Sequence, residues 1–213
     1  MQNSTPSVVI LISGRGSNLN ALIDHARQTG TYTIRAVISN RPAAAGIELA
    51  RAAGIETAVL DHTAFDSREA FDAELAGLIE GFQPDWVVLA GFMRVLTEGF
   101  VNRYADRLVN IHPSLLPAFP GLKTHQQALD AGVRVHGVTV HLVTAQLDHG
   151  PIVDQAFLAV RPDDTADSLA GRVLELEHRI YPRALAALAS GQIKLVNGRL
   201  EGTLASPLIH AIQ

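Results

Sequence analysis

Asn110 and His112 stand two residues apart in the segment Asn110-Ile111-His112-Pro113-Ser114-Leu115-Leu116-Pro117. In an extended segment that spacing aims both side chains to the same side. One is a neutral amide able to donate hydrogen bonds, and the other is a ring that takes up or releases a proton. Together they suit an oxyanion site with a general acid or base beside it. Asp148 lies further along, in Leu147-Asp148-His149-Gly150-Pro151-Ile152, among a glycine and a proline that fix local geometry. An aspartate carried next to His112 would favour the protonated ring. Spacing alone does not bring them together. Each residue also has a plainer reading: Asn110 as a turn cap, His112 as a structural histidine before proline, Asp148 as a turn former.

A second group of residues suits anion binding. Ser13-Gly14-Arg15-Gly16-Ser17-Asn18 follows an apolar strand and opens a helix. Glycines let the backbone approach an anion, and a helix start offers unpaired N–H groups at the positive end of its dipole. Ser17 and Asn18 add side-chain donors, so a phosphate is the natural guest. A dinucleotide fingerprint would want a third glycine near position 19, where Leu19 stands. Ser39-Asn40-Arg41 after the second strand would nevertheless suit a 2′-phosphate, as in NADP-binding proteins. A tight turn without a ligand is the third reading, and the turn by itself leaves all three open.

These residues need a scaffold, and the pattern of elements supplies one. Strands are expected at 8–13, 34–39, 57–60, 86–90 and 108–111, and helices at 18–28, 43–53 and from Asp66 to about 80. Asp66 with Glu69 three residues later has the form of a capping box. Strand alternating with helix predicts right-handed βαβ units in an α/β fold: a doubly wound, mostly parallel, Rossmann-like sheet with helices on both faces. Ligands in such sheets bind beyond the carboxyl ends of the strands, where Asn110 and His112 fall. Residues 114–122 read as an ordered loop and 124–130 as a short helix. Strands at 135–143 and 152–160 read as an antiparallel addition, 167–189 as a long amphipathic helix, and the last residues as peripheral. The whole chain, 1–213, reads as one domain.

Composition narrows the function. Hydrophobic residues make up 47% and aromatic ones 5%, so aliphatic side chains fill the core, as parallel sheets prefer. The balance of 17 basic against 21 acidic residues gives −4, without the basic excess of a nucleic-acid binder. There is no cysteine, hence no disulfide, thiolate metal site or cysteine nucleophile. No metal is expected, because His141 and His149 sit in no paired ligand motif. The first seven residues lack the features of a signal peptide, and no apolar run is long enough to span a membrane. A cytoplasmic location is the expectation, and the oligomeric state stays open.

The four segments Ser13–Leu19, Leu89–Arg94, Asn110–Pro117 and Leu147–Ile152 follow one another in an order that resembles the folate-dependent formyltransferases, over nearly the whole chain. The segment around His112 marks the superfamily, and the phosphate turn points to its glycinamide ribonucleotide branch. The resemblance implies transfer of a formyl group from 10-formyltetrahydrofolate, a co-substrate, to the amine of glycinamide ribonucleotide in purine biosynthesis. It assigns Asn110, His112 and Asp148 as the catalytic trio. Gly16, Ser17, Asn18 and Glu177 would hold the ribonucleotide. Arg68 and the stretch Met93, Arg94, Val95 and Leu96, together with Asn110, would line the folate pocket, and Gly121 would lie beside the active site. In the implied division the N-terminal half binds the ribonucleotide phosphate, and the C-terminal half carries folate binding and the catalytic loop. Ala145 and Gln146 depart from the acidic residues some members carry before the aspartate.

A formyltransferase acting on transfer RNA would bring a basic face and a further C-terminal domain. A formyltetrahydrofolate hydrolase would bring an N-terminal domain and have no use for the phosphate turn. Outside the motifs, Trp86 is expected in the core and His25, His62 and His210 at the surface. His136, His141 and His149 are expected near the site, and Arg179 and Arg183 on a solvated helix face.

Overall fold

A computed structural model describes residues 5–202 and Leu204. Its strands β1 (Ser7–Ile12), β2 (Thr33–Ser39), β3 (Glu56–Val59), β4 (Trp86–Leu89), β5 (Leu108–His112), β6 (Val135–Leu142) and β7 (Ile152–Ala159) form a mostly parallel sheet in the order β3-β2-β1-β4-β5-β6-β7. The chain divides into two compact units, with the division between Val109 and Asn110.

In the first unit every residue of β1 is buried, as a parallel strand covered on both faces requires. It pairs in parallel with β2 on one side and β4 on the other, and β2 pairs in parallel with β3. The chain thus winds outward from β1 to β3 and then returns to lay β4 on the opposite side of β1. That reversal makes the carboxyl ends of β1 and β4 a topological switch point, the place where open α/β sheets receive ligands. Helix α1 (Ser17–Thr29) buries Leu19, Leu22 and Ile23 at helical spacing and stops at Gly30, whose φ of 63° suits glycine. Helix α2 (Ala45–Ala52) packs beside α1. Helix α3 (Arg68–Gly81) is capped by Ser67, whose side chain accepts from Ala70 N, rather than by Asp66. The capping pattern is displaced by one residue because the serine supplies the acceptor itself.

Two further features of this unit differ from expectation. Helix α4 (Glu98–Arg103), too short for a periodic signal, is started by the Thr97 side chain accepting from Phe100 N. Trp86 is only half-buried, because it opens its strand at the rim.

The second unit carries β6 and β7 as the expected antiparallel pair, with Thr139 opposite Gln155. Helix α5 (Thr124–Asp130) and the long α6 (Ala166–Ala189) pack together, and α6 also lies on β6 and β7. Helix α6 begins with a capping box, Thr165 with Ser168. A hairpin of β8 (Lys194–Val196) and β9 (Arg199–Glu201) turns at Asn197-Gly198, both with positive φ. That Asn-Gly pair is a strong hairpin signal in a stretch expected to be merely peripheral. His210 lies outside the described residues.

Arg183 is a correction to the solvated face expected of α6. Its guanidinium bonds Asp154 Oδ2 at 2.6 Å, and the carboxylate side chain is only 6% exposed. Burial pushes the Asp154 carboxyl above its usual range, against the pull of Arg183. Arg179 is exposed, as expected. Removing one partner of a buried pair strands the other charge, a loss of about 3–5 kcal/mol. Arg183→Met is therefore expected to lower unfolding stability by that order in denaturant titration, and Arg183→Met with Asp154→Leu to recover most of it.

Candidate active site

In the second unit, β5 delivers Asn110 and His112 two residues apart, and the chain after β5 and the loop after β6 close on the histidine. His112 is 5% exposed. Its Nε2 lies 2.9 Å from the carbonyl oxygen of Phe119. A carbonyl only accepts, so Nε2 carries the hydrogen. Its Nδ1 lies 3.5 Å from Asp148 Oδ2. The same carboxylate oxygen accepts from the backbone N–H of Gly121 at 2.8 Å. The expected approach of residues 112 and 148 is present, and Gly121 lies beside it.

The turn at Asp148 has a local cause. Its φ is 51°, a left-handed conformation that aspartate tolerates better than most residues. Two residues on, a Cβ at Gly150 would run into the Leu142 carbonyl at the end of β6. The Asp-x-Gly spacing folds this loop back against its own strand and so fixes the carboxylate.

Asn110 meets a different ring. His141 Nδ1 lies 3.0 Å from the Leu142 carbonyl, so that nitrogen is the donor. Burial lowers the His141 pKa and favours the neutral ring, leaving Nε2 as an acceptor. Asn110 Nδ2 lies 3.3 Å from it. The amide nitrogen is thereby turned toward His141 with one hydrogen, and its second hydrogen is available for another acceptor. His141 is thus a partner of Asn110, whereas His149 is exposed. His136 is buried, with Nε2 3.2 Å from His125 Nδ1. Glu177 is buried on α6.

In the first unit the glycine-rich turn runs from β1 into α1, with Gly16 at φ 81°. A Cβ there would stand 2.9 Å from Gly46 Cα, so the start of α2 presses on the turn through paired glycines. Gly46 N also donates to Gly14 O at 3.0 Å. Ser17 is exposed and Asn18 buried. Ser39 and Asn40, considered for a 2′-phosphate, are buried and turned inward. Ser39 Oγ donates to Arg41 O, and Asn40 Oδ1 accepts from Ser13 Oγ at 2.6 Å. Only the exposed Arg41 faces outward from that segment.

The stretch 91–97 is tied to this turn. Ser13 N donates to Gly91 O at 3.1 Å, and Ser13 Oγ accepts from Met93 N at 2.7 Å. The Arg94 guanidinium lies 4.6 Å above the Phe71 ring of α3, and Thr97 N donates to Asp72 Oδ2 at 2.7 Å. Held at both ends, the stretch leaves Met93 66% and Val95 54% exposed, an unusual display of apolar surface beside a switch point. Leu96 is half-buried, and Arg68 opens α3 with its side chain exposed. Sequence reasoning placed Ser13 in the turn and Asn40 beside a 2′-phosphate but missed their bond to each other, and it missed Gly46 altogether. A glycine in the first turn of α2 was the available signal.

Residues 7–185 match the family described as formyl transferase. This chain belongs to the formyl transferase family. It is 52% identical over 190 residues to phosphoribosylglycinamide formyltransferase of Escherichia coli (strain K12), covering 89% of this chain and 90% of that protein. It is 46% identical to the human trifunctional purine biosynthetic protein adenosine-3, spanning 91% of this chain but only 19% of that larger protein. Among solved structures, the Coxiella burnetii phosphoribosylglycinamide formyltransferase in complex with CHES superposes with a TM-score of 0.89 at 44% identity, over 99% of this chain and 100% of that one. The glycinamide ribonucleotide transformylase 1 of Symbiobacterium toebii gives 0.90 at 44%, over 94% and 95%. The mostly parallel α/β fold expected from the sequence is the fold of this family.

Two expectations follow from these geometries. Gly16→Ala would place an L-residue in the left-handed region, a loss of about 1–2 kcal/mol before the contact with Gly46 is counted. A lower melting temperature and weaker binding of a phosphate-bearing ligand are the expected readings. His136 is 1% exposed, and burial chiefly, with a smaller effect of the neighbouring His125, pushes it down to about 4. Its folded pKa lies below the unfolded 6.5, so the stability of the neutral ring is present above 6.5 and is lost as pH falls toward 4. Chemical denaturation across that window should show a shallower fall in His136→Gln than in the native chain.

Proposed function

We propose that this chain transfers the formyl group of 10-formyltetrahydrofolate to the amine of glycinamide ribonucleotide, a step of purine biosynthesis in the cytoplasm. The observation that carries the reading is His112 held between the Phe119 carbonyl and the Asp148 carboxylate, with Asn110 on the same strand. The enzymes named for this reaction, matched over most of their length, support it. The substrates are small molecules. Among the described residues no helix is long and apolar enough to cross a membrane.

In this reading the amine nitrogen attacks the formyl carbon, a C–N bond forms, and the carbonyl oxygen becomes an oxyanion. The second hydrogen of the Asn110 amide donates to that oxygen, and the protonated His112 ring, its nitrogens kept on Phe119 O and Asp148, stabilises it by charge. Asp148 holds the ring and receives the proton released by the incoming amine, through water. The tetrahedral intermediate then breaks its bond to the folate nitrogen, which takes up that same proton from Asp148, through water, as it leaves. No redox partner or metal enters this balance.

The Gly16, Ser17 and Asn18 turn takes the ribonucleotide phosphate. Arg68, Met93, Arg94, Val95 and Leu96 line the folate pocket, the last four largely through backbone atoms. Glu177 contacts the ribonucleotide. The buried state of Ser39 and Asn40 disfavours the alternative of a dinucleotide module, since their polar atoms are already engaged.

The test is an assay of folate product formation with and without glycinamide ribonucleotide. Turnover should require the amine, and turnover that ignores it would indicate a hydrolase. His112→Ala and Asp148→Asn should lose about 10²–10⁴ in kcat while keeping the native circular dichroism spectrum. Near-native turnover in either would overturn the assignment of roles.

A further inference from the structure

The carbonyl that orients His112 belongs to Phe119, and the segment before it is held from outside by one buried polar knot. Thr139 on β6 is fully buried, as is Ser114. The Thr139 hydroxyl donates to Ser114 O at 2.7 Å and accepts from Leu116 N at 3.0 Å. Gln155, its cross-strand neighbour on β7, donates from Nε2 to the same hydroxyl at 2.9 Å and to Leu116 O at 3.0 Å. Both hydrogens of that amide nitrogen are therefore in use, and the hydroxyl has its donor and both acceptor positions filled.

The knot grips both polar atoms of Leu116, N–H and C=O, together with the carbonyl of Ser114. Inside the segment, Ser114 Oγ donates to Ala118 O at 2.6 Å and Ala118 N donates to Leu115 O at 2.9 Å. The hold on Leu116 is thereby passed to Ala118, and the next residue, Phe119, presents its carbonyl to His112 Nε2. Gln155 makes no hydrogen bond to His112 or Asp148. Its half-buried amide spends one donor on the Thr139 hydroxyl and the other on Leu116 O.

We propose that Gln155, acting through Thr139 and residues 114–119, is a positioning residue for His112, fixing the carbonyl that sets the ring's orientation and tautomer. The proposal rests on the reading of His112 as the catalytic imidazole. Small displacements of an oriented group lower turnover steeply, so the effect belongs in kcat rather than in substrate affinity.

The decisive variant is Gln155→Met, which keeps the length and removes both donors. Its kcat is expected to fall about tenfold to a hundredfold, with KM for both substrates within about twofold. The ring nitrogen resonances of His112, assigned by ¹⁵N NMR through their loss in His112→Ala, should move. Thr139→Ser, which keeps the hydroxyl, should retain turnover, and Thr139→Val should reproduce the loss. That pair carries the test if Gln155→Met does not fold. A Gln155→Met chain that melts earlier yet keeps kcat and the His112 resonances would overturn the proposal, since it would leave Gln155 a purely structural role. Turnover retained in His112→Ala would overturn the underlying reading instead, and the positioning role with it.

Discussion

An imidazole is fixed in orientation only when both ring nitrogens have a partner, and His112 has one on each side. A backbone carbonyl sits at Nε2 and a carboxylate at Nδ1. The arrangement depends on two segments distant in sequence arriving together, residues 113–121 and 143–150. The Gly121 N–H bonded to Asp148 Oδ2 joins them directly, so the carboxylate that faces the ring also clasps the segment that carries its other partner. A charge-assisted bond of that kind is among the stronger ones available to a backbone amide. Much of the second unit can be understood as support for this bracket: Gly150 folds one segment onto β6, and Thr139 anchors the other.

The first unit solves a different problem with backbone rather than charge. A turn that presents N–H groups to an anion must be open on one side and firmly backed on the other. Gly16 and Gly46 supply the backing by letting two helix starts approach more closely than side chains allow. Ser13 then fastens the turn to two segments, donating to Asn40 Oδ1 after β2 and accepting from Met93 N after β4. In the proposed function a phosphate held there by backbone amides would need few cations, in line with a chain of net charge −4.

The histidines illustrate how environment separates one residue type into different roles. His136 and His141 are kept neutral chiefly by burial, and His125 is pushed the same way. His141 then serves as an acceptor for Asn110, a task that a protonated ring could not perform. His112 is as buried as these, but it alone among them has a carboxylate at ion-pair distance. His25 and His62, expected at the surface, are half-buried. His25 stacks on Tyr32, and His62 is bound to the Asn40 carbonyl.

The alternation of buried strands and amphipathic helices, the turn after β1 and the pairing of Asn110 with His112 were all legible in the sequence, because each depends on spacing along one element. Short-range chemistry was legible too, although Ser67 rather than Asp66 caps α3, and the Asn197-Gly198 turn went unread. What only the tertiary structure decided are relations between elements: Asp148 at His112, His141 at Asn110, Asp154 under Arg183, and Gly46 against Gly16. The reason is physical. Helix and strand periodicities act over a few residues and leave their mark in composition. A contact closed over dozens of residues is set by how buried surfaces pack, and no local pattern encodes which partner it will find.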